Sequence, residues 1–64
     1  MRNQNRLYHF YNELMQIHMN HPDIRFGQLI NNFTRWLARE KDRDIFYLEE
    51  DDFLKLFKEY MKED

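Results

Sequence analysis

The chain has 64 residues, the length of one small domain, and it contains no cysteine. Disulfides, thiol catalysis and cysteine-ligated zinc sites are therefore excluded. The formal net charge is −2, which gives no excess of positive charge for non-specific nucleic-acid binding. No apolar run approaches the ~18 residues of a membrane span, and the N-terminus lacks a signal-peptide pattern. We therefore expect a cytoplasmic protein without a membrane partner.

The first predicted element is a helix over about residues 5–19, because apolar side chains recur there at three- and four-residue steps. Asn3 or Asn5 is suited to cap its start. Pro22 disfavours the α conformation at His21, so the helix should end before that residue.

The second predicted element is a helix over about residues 24–41, with Asp23 suited to its N-cap. Gly27 lies inside this helix, where glycine costs about 1 kcal/mol relative to alanine. We expect it to permit the close approach of another helix or an aromatic ring.

The third predicted element is a helix over about residues 50–62, which begins in four consecutive acids that suit the positive end of a helix dipole. The run 45–48 before it is either an extended connection or a single turn. Three amphipathic helices joined by short breaks predict an all-α, compact three-helix bundle over residues 1–64. The first two helices should be antiparallel neighbours, with the third covering their seam.

Two stretches of the chain carry a family resemblance. Residues 22–33 read PDIRFGQLINNF, and residues 44–54 read DIFYLEEDDFL. Together they resemble a family of short hypothetical proteins common in Firmicutes genomes and their phages, with a Pro-Asp-x-Arg-Phe-Gly-Gln-Leu helix followed by Phe-Tyr-Leu-Glu-(Asp/Glu)-Asp. The resemblance covers nearly the whole chain after residue 5. It implies a phage context and no catalytic residues, since the family has no established activity.

The candidate structural or binding residues within these motifs are Arg25, Gly27, Gln28, Phe46 and Tyr47. A partly buried arginine needs a carboxylate or carbonyl partner. Our hypothesis is that Arg25 and Gln28 hold the 46–47 segment against the second helix. Contact with an outside partner is the alternative.

Catalysis and metal binding find little support in the sequence. Serine and cysteine are absent, and Gly27 stands alone, so there is no phosphate loop. His18 and His21 are three residues apart, but no complete set of zinc ligands is apparent. We expect a protein that is not an enzyme and has no metal or cofactor.

Protein binding or self-association is the leading interpretation, because aromatic residues are 17% of the chain and a core of this size cannot enclose them all. Aromatic residues and methionine are enriched at interface cores. The candidate interface residues are Tyr8, Met15, Met19, Trp36 and Tyr60. Inclusion of these side chains in a tight core is the alternative, and the phage resemblance implies a host protein as the partner.

Nucleic-acid binding through a helix-turn-helix ranks below protein binding. The candidate contacts on the second helix are Asn31, Asn32, Arg35 and Arg39. Asparagine and arginine side chains suit base edges. However, the break before this helix contains proline and no glycine, and the acidic start of the third helix would repel phosphate.

Overall fold

A computed structural model describes residues 3–62, so residues 1, 2, 63 and 64 of the expected domain lie outside the described residues. The three helices are α1 (Asn5–Met19), α2 (Phe26–Trp36) and α3 (Glu50–Met61). A π-helical turn extends α2, and a 3₁₀ turn precedes α3. No strand occurs within the described part, and the predicted all-α three-helix bundle is confirmed.

The N-cap residue of α1 is Gln4 and not Asn3 or Asn5, but the side chain of Asn3 binds the first turn from just before the helix. The Oδ1 of Asn3 accepts a hydrogen bond of 2.9 Å from the backbone N–H of Asn5, which satisfies one amide of the first turn. The helix ends at Met19, shortly before Pro22, whose ring disfavours the α conformation in the preceding residue.

α2 begins later than the sequence predicts. Its N-cap is Arg25, with an extended backbone (φ −68°, ψ 145°), and not Asp23. The Oε1 of Gln28 accepts a hydrogen bond of 3.1 Å from the backbone N–H of Arg25. This is the glutamine arm of a capping box, and it fixes the helix start at Phe26.

Gly27 faces open space in the first turn of α2. A Cβ atom built at this position would meet nothing within 4 Å outside its immediate helical surroundings. The expectation that another helix or a ring packs closely over Gly27 is therefore wrong, since this side of the turn is exposed.

The second helical segment ends in a π turn over Leu37–Lys41. Asp42 follows it in the left-handed conformation (φ 52°, ψ 42°), and its N–H donates to the carbonyl of Leu37. Arg43 N–H donates to the same carbonyl at 3.1 Å. These bonds end the helix while the side chain of Leu37 stays fully buried.

The core is centred on Phe33 of α2 and Phe57 of α3, which are fully buried. Their ring centroids are 4.9 Å apart at an interplanar angle of 78°, a favourable edge-to-face arrangement. The other buried hydrophobic residues are Ile17, Leu29, Leu37 and Leu54. α3 packs against both other helices and most extensively against α1. The expectation that α1 and α2 are the principal neighbours is therefore wrong, because the main partner of α1 is α3.

Two ion pairs connect α1 to α3. Arg6 Nε lies 2.8 Å from Glu50 Oε1, and Lys58 Nζ lies 3.3 Å from Glu13 Oε1. All four side chains are partly exposed, so each pair contributes at most about 1 kcal/mol. Both charged side chains of α1 are thus directed towards α3.

Candidate functional site

Trp36 and Tyr60, two of the candidate interface residues, pack against the core instead of lying on an open face. The Trp36 ring stacks on Phe33 at a centroid distance of 6.0 Å and lies 5.4 Å from the Tyr60 ring. Lys41 Nζ covers the Trp36 ring at 5.6 Å from its centroid, within cation–π range. These two side chains complete the edge of the core.

The other three candidates, Tyr8, Met15 and Met19, are exposed on the side of α1 that faces away from the bundle. Tyr11 lies among them in sequence and is 61% exposed, and Phe26 is exposed at the start of α2. We call these five residues the α1 outer face. Tyr11 and Phe26 were not among the residues predicted for an interface, although the spacing of residues 8, 11, 15 and 19 is that of a single helix stripe.

The α1 outer face is continuous along the helix. One shallow depression extends along it from Gln4 to Met15, and a second extends from Tyr11 to Phe26. Tyr11 and Met15 line both depressions. The rings of His18 and Phe26, with centroids 6.4 Å apart, join the end of α1 to the start of α2. A helix-sized partner would therefore meet one uninterrupted apolar strip.

The α1 outer face has no charged side chain. Between Leu7 and Pro22 the only Asp, Glu, Lys or Arg is Glu13, which is paired with Lys58. The polar neighbours of the strip include Asn12 and Gln16, whose amides are uncharged. Since charged residues are 34% of the whole chain, this stretch differs sharply from the rest of the surface.

The motif residues do not form the predicted connection between α2 and the 46–47 segment. Gln28 caps its own helix, and Arg25 is exposed, with no ion pair of its guanidinium among residues 3–62. Phe46 and Tyr47 are 81% and 77% exposed and contact each other at 5.0 Å between ring centroids. The hypothesis that Arg25 and Gln28 hold this segment is wrong, because Gln28 binds the start of its own helix and the Arg25 guanidinium forms no hydrogen bond or ion pair with residues 46 and 47.

The 45–48 run is a turn. The Oδ1 of Asp44 accepts a 2.9 Å hydrogen bond from Phe46 N–H, and Leu48 N–H donates to the carbonyl of Ile45. Ile45 and Leu48 pack against the core, while the two rings between them stay in solvent. An aspartate two residues before the donating N–H is the sequence signal for this turn.

The candidate nucleic-acid contacts lie on the solvent side of α2 and of the π turn. Asn31, Asn32, Arg35 and Arg39 are all exposed. Arg39 Nε lies 3.1 Å from Glu40 Oε1, which partly neutralises that guanidinium. The structure thus brings these four residues to one surface, separate from the α1 outer face.

Within residues 3–62, no three histidine, aspartate or glutamate side chains lie close enough together to hold a metal ion. None of the described helices combines the length and the apolar composition needed to cross a bilayer. Comparison of the chain with protein-family models, curated proteins and solved structures gave no match.

Proposed function

We propose that this protein is a small non-enzymatic interaction module that binds a protein partner through the α1 outer face. The supporting observation is the continuous strip of exposed tyrosine, methionine and phenylalanine side chains, of which Tyr8 is 79% exposed. Interface cores are enriched in these residue types and depleted of charge. The strip matches both properties, because it is rich in these residue types and contains no charged side chain.

The size of the α1 outer face also supports a binding role. From their exposed fractions, its five side chains present about 600 Å² to solvent, at roughly 200 Å² for a large side chain. That area is at the upper end of about 300–600 Å² for the largest patch on a typical monomer. It approaches the ~800 Å² that each partner contributes to a standard interface.

Two classes of partner fit this face. The resemblance of the two motifs to short Firmicutes and phage proteins suggests a cytoplasmic host protein as the first class. A second copy of the chain is the other class. An apolar, uncharged surface on the partner is required in both cases, since a charged group buried against the strip would lose its hydration without gaining a counter-charge.

Site-specific photo-crosslinking in Firmicutes cells tests the proposal. A benzophenone amino acid replaces Tyr11 on the α1 outer face and, as the matched control, Lys55 on the exposed side of α3. We expect a discrete protein adduct from position 11 and none from position 55. Absence of any adduct at position 11, or equal adducts at both positions, would contradict binding through this face.

Nucleic-acid binding through α2 is the second candidate function, favoured by the exposed amides and guanidiniums of Asn31, Asn32, Arg35 and Arg39. The same experiment tests it with the benzophenone group at position 32. An adduct that is lost on nuclease treatment would support this alternative. The net charge of −2 and the acidic first turn of α3 oppose it, because both repel phosphate.

A further inference from the structure

We propose that the occupant of the α1 outer face is a second copy of the chain, with the two α1 helices antiparallel across a two-fold axis near residues 13 and 14. This inference rests on the proposed function, because it names the partner of the same face. Three observations support a second copy over an unrelated protein: the order of residue types along α1, the absence of charge and the exposed area.

The order of residues along the strip favours an antiparallel pair. Within α1, the N-terminal half of the strip consists of Tyr8 and Tyr11, and the C-terminal half consists of Met15 and Met19. An antiparallel copy places Tyr8 opposite the second Met19 and Tyr11 opposite the second Met15. Thioether sulfur atoms make favourable contacts with aromatic rings, so each of the four positions gains a suitable neighbour. A parallel pair would place each residue against its own type.

The absence of charge makes the face compatible with itself. Across a two-fold axis every surface meets its own copy, so any charged group near the axis faces a like charge. Here the side chains nearest the axis are uncharged except Glu13, which is bound to Lys58 on the side towards α3. Asn12 and Gln16 are exposed beside the strip, and their amides can both donate and accept hydrogen bonds with a second copy.

The exposed area suits a reversible dimer. Two copies of the α1 outer face would together cover about 1,200 Å², the lower limit of specific interfaces. The chain should therefore pass from monomer to dimer over an accessible concentration range. No other part of the described surface combines an apolar strip of this length with the absence of charge.

Sedimentation equilibrium of the purified full chain tests self-association. We expect the mass to rise from 8.2 kDa towards twice that value with concentration. Met15→Glu should weaken association at least tenfold, because it places two like charges near the axis. Tyr8→Glu is a second variant at a more exposed position, so an effect of Met15 on folding cannot imitate the result. Circular dichroism verifies that both variants keep their helix content.

Phe46→Glu is the matched control, since it changes a strongly exposed aromatic residue to the same acid outside the α1 outer face. It should leave association unchanged. Loss of the dimer in Phe46→Glu would overturn the two-fold arrangement, because the exposed Phe46 and Tyr47 rings would then be inserting into the second copy.

Single-cysteine variants test the antiparallel direction, and the cysteine-free chain makes this straightforward. Asn12→Cys lies near the axis and should join two copies through a short bismaleimide. Gln4→Cys lies along the same strip, but its two copies would be roughly 28 Å apart at 1.5 Å per residue, and it should not be joined. Efficient joining through Gln4→Cys would overturn the antiparallel arrangement.

A chain that stays monomeric at all concentrations overturns self-association. The proposed function is judged separately, because a photo-adduct at position 11 with a different protein would still support binding through this face. Monomeric behaviour together with no adduct at position 11 would contradict both.

Discussion

Arg25, Gly27 and Gln28 illustrate how neighbouring residues of a motif can lack any long-range contact within the chain. Gln28 accepts the hydrogen bond from Arg25 N–H, and Gly27 between them faces open space. The absence of a side chain at Gly27 is therefore not needed for close packing within the chain. Its backbone has no positive φ that would require glycine.

Gly27→Ala should stabilise the fold by about 0.5–1 kcal/mol, because alanine has the higher helix propensity and reduces the freedom of the unfolded chain. Urea denaturation measures the change. Gln28→Ala is the opposing control and should destabilise by roughly 0.5–1 kcal/mol through loss of its cap bond. A Gly27→Ala variant less stable than the parent would show that the site is more crowded than the structure indicates.

At the scale of elements, one side chain of α1 helps to hold the connection between α1 and α2. His18 Nε2 lies 2.6 Å from the carbonyl oxygen of Ile24, so the end of α1 binds the backbone that leads into α2. Ile24 in turn packs against the core. The hydrogen bond therefore helps to set the position of Phe26, the α2 residue of the α1 outer face.

His18→Ala should destabilise the fold by about 1 kcal/mol, the usual net value of an intramolecular hydrogen bond. His9→Ala, on an exposed part of the same helix, should change stability by less than about 0.5 kcal/mol. Thermal unfolding of both variants at one protein concentration compares them. Equal effects would mean that the His18 bond does not hold the connection.

For the whole molecule, stability depends on one cluster of aromatic rings. Phe33 contacts Trp36, Phe53, Phe57 and Tyr60 at centroid distances between 4.9 and 6.0 Å. This cluster joins α2 to α3, while Phe10 and Phe53, 5.3 Å apart, extend it to α1. A small domain has few such contacts, so the loss of one central ring affects all three helices.

Phe33→Ala should cost about 3–5 kcal/mol, comparable with the entire stability of a domain of this size, and should leave most of the chain unfolded at room temperature. Phe46→Ala removes an exposed ring and should have an effect within about 0.5 kcal/mol. Circular dichroism melting distinguishes the two. A cooperative melt of Phe33→Ala near the parent temperature would contradict a core centred on this ring.

Periodicity was sufficient to predict the three helices and the bundle, since each helix has apolar side chains at helical steps. It could not divide the wide apolar surface of α1 into an inner and an outer part. That division depends on α3 packing against one side, which leaves Tyr11 and Met15 on the other. The helix start that was predicted wrongly and the turn that was left open both had readable signals: Gln28 stands three residues after its N-cap, and Asp44 stands two before Phe46.

The exposure of Met15 and Met19 has a chemical consequence. Their thioethers are open to peroxide, whereas Met61 is partly buried against the core. Oxidation to the sulfoxide makes a methionine side chain polar. Mild oxidant should therefore modify two of the five side chains of the α1 outer face before it reaches the interior, and so alter the proposed binding surface while the fold is still intact.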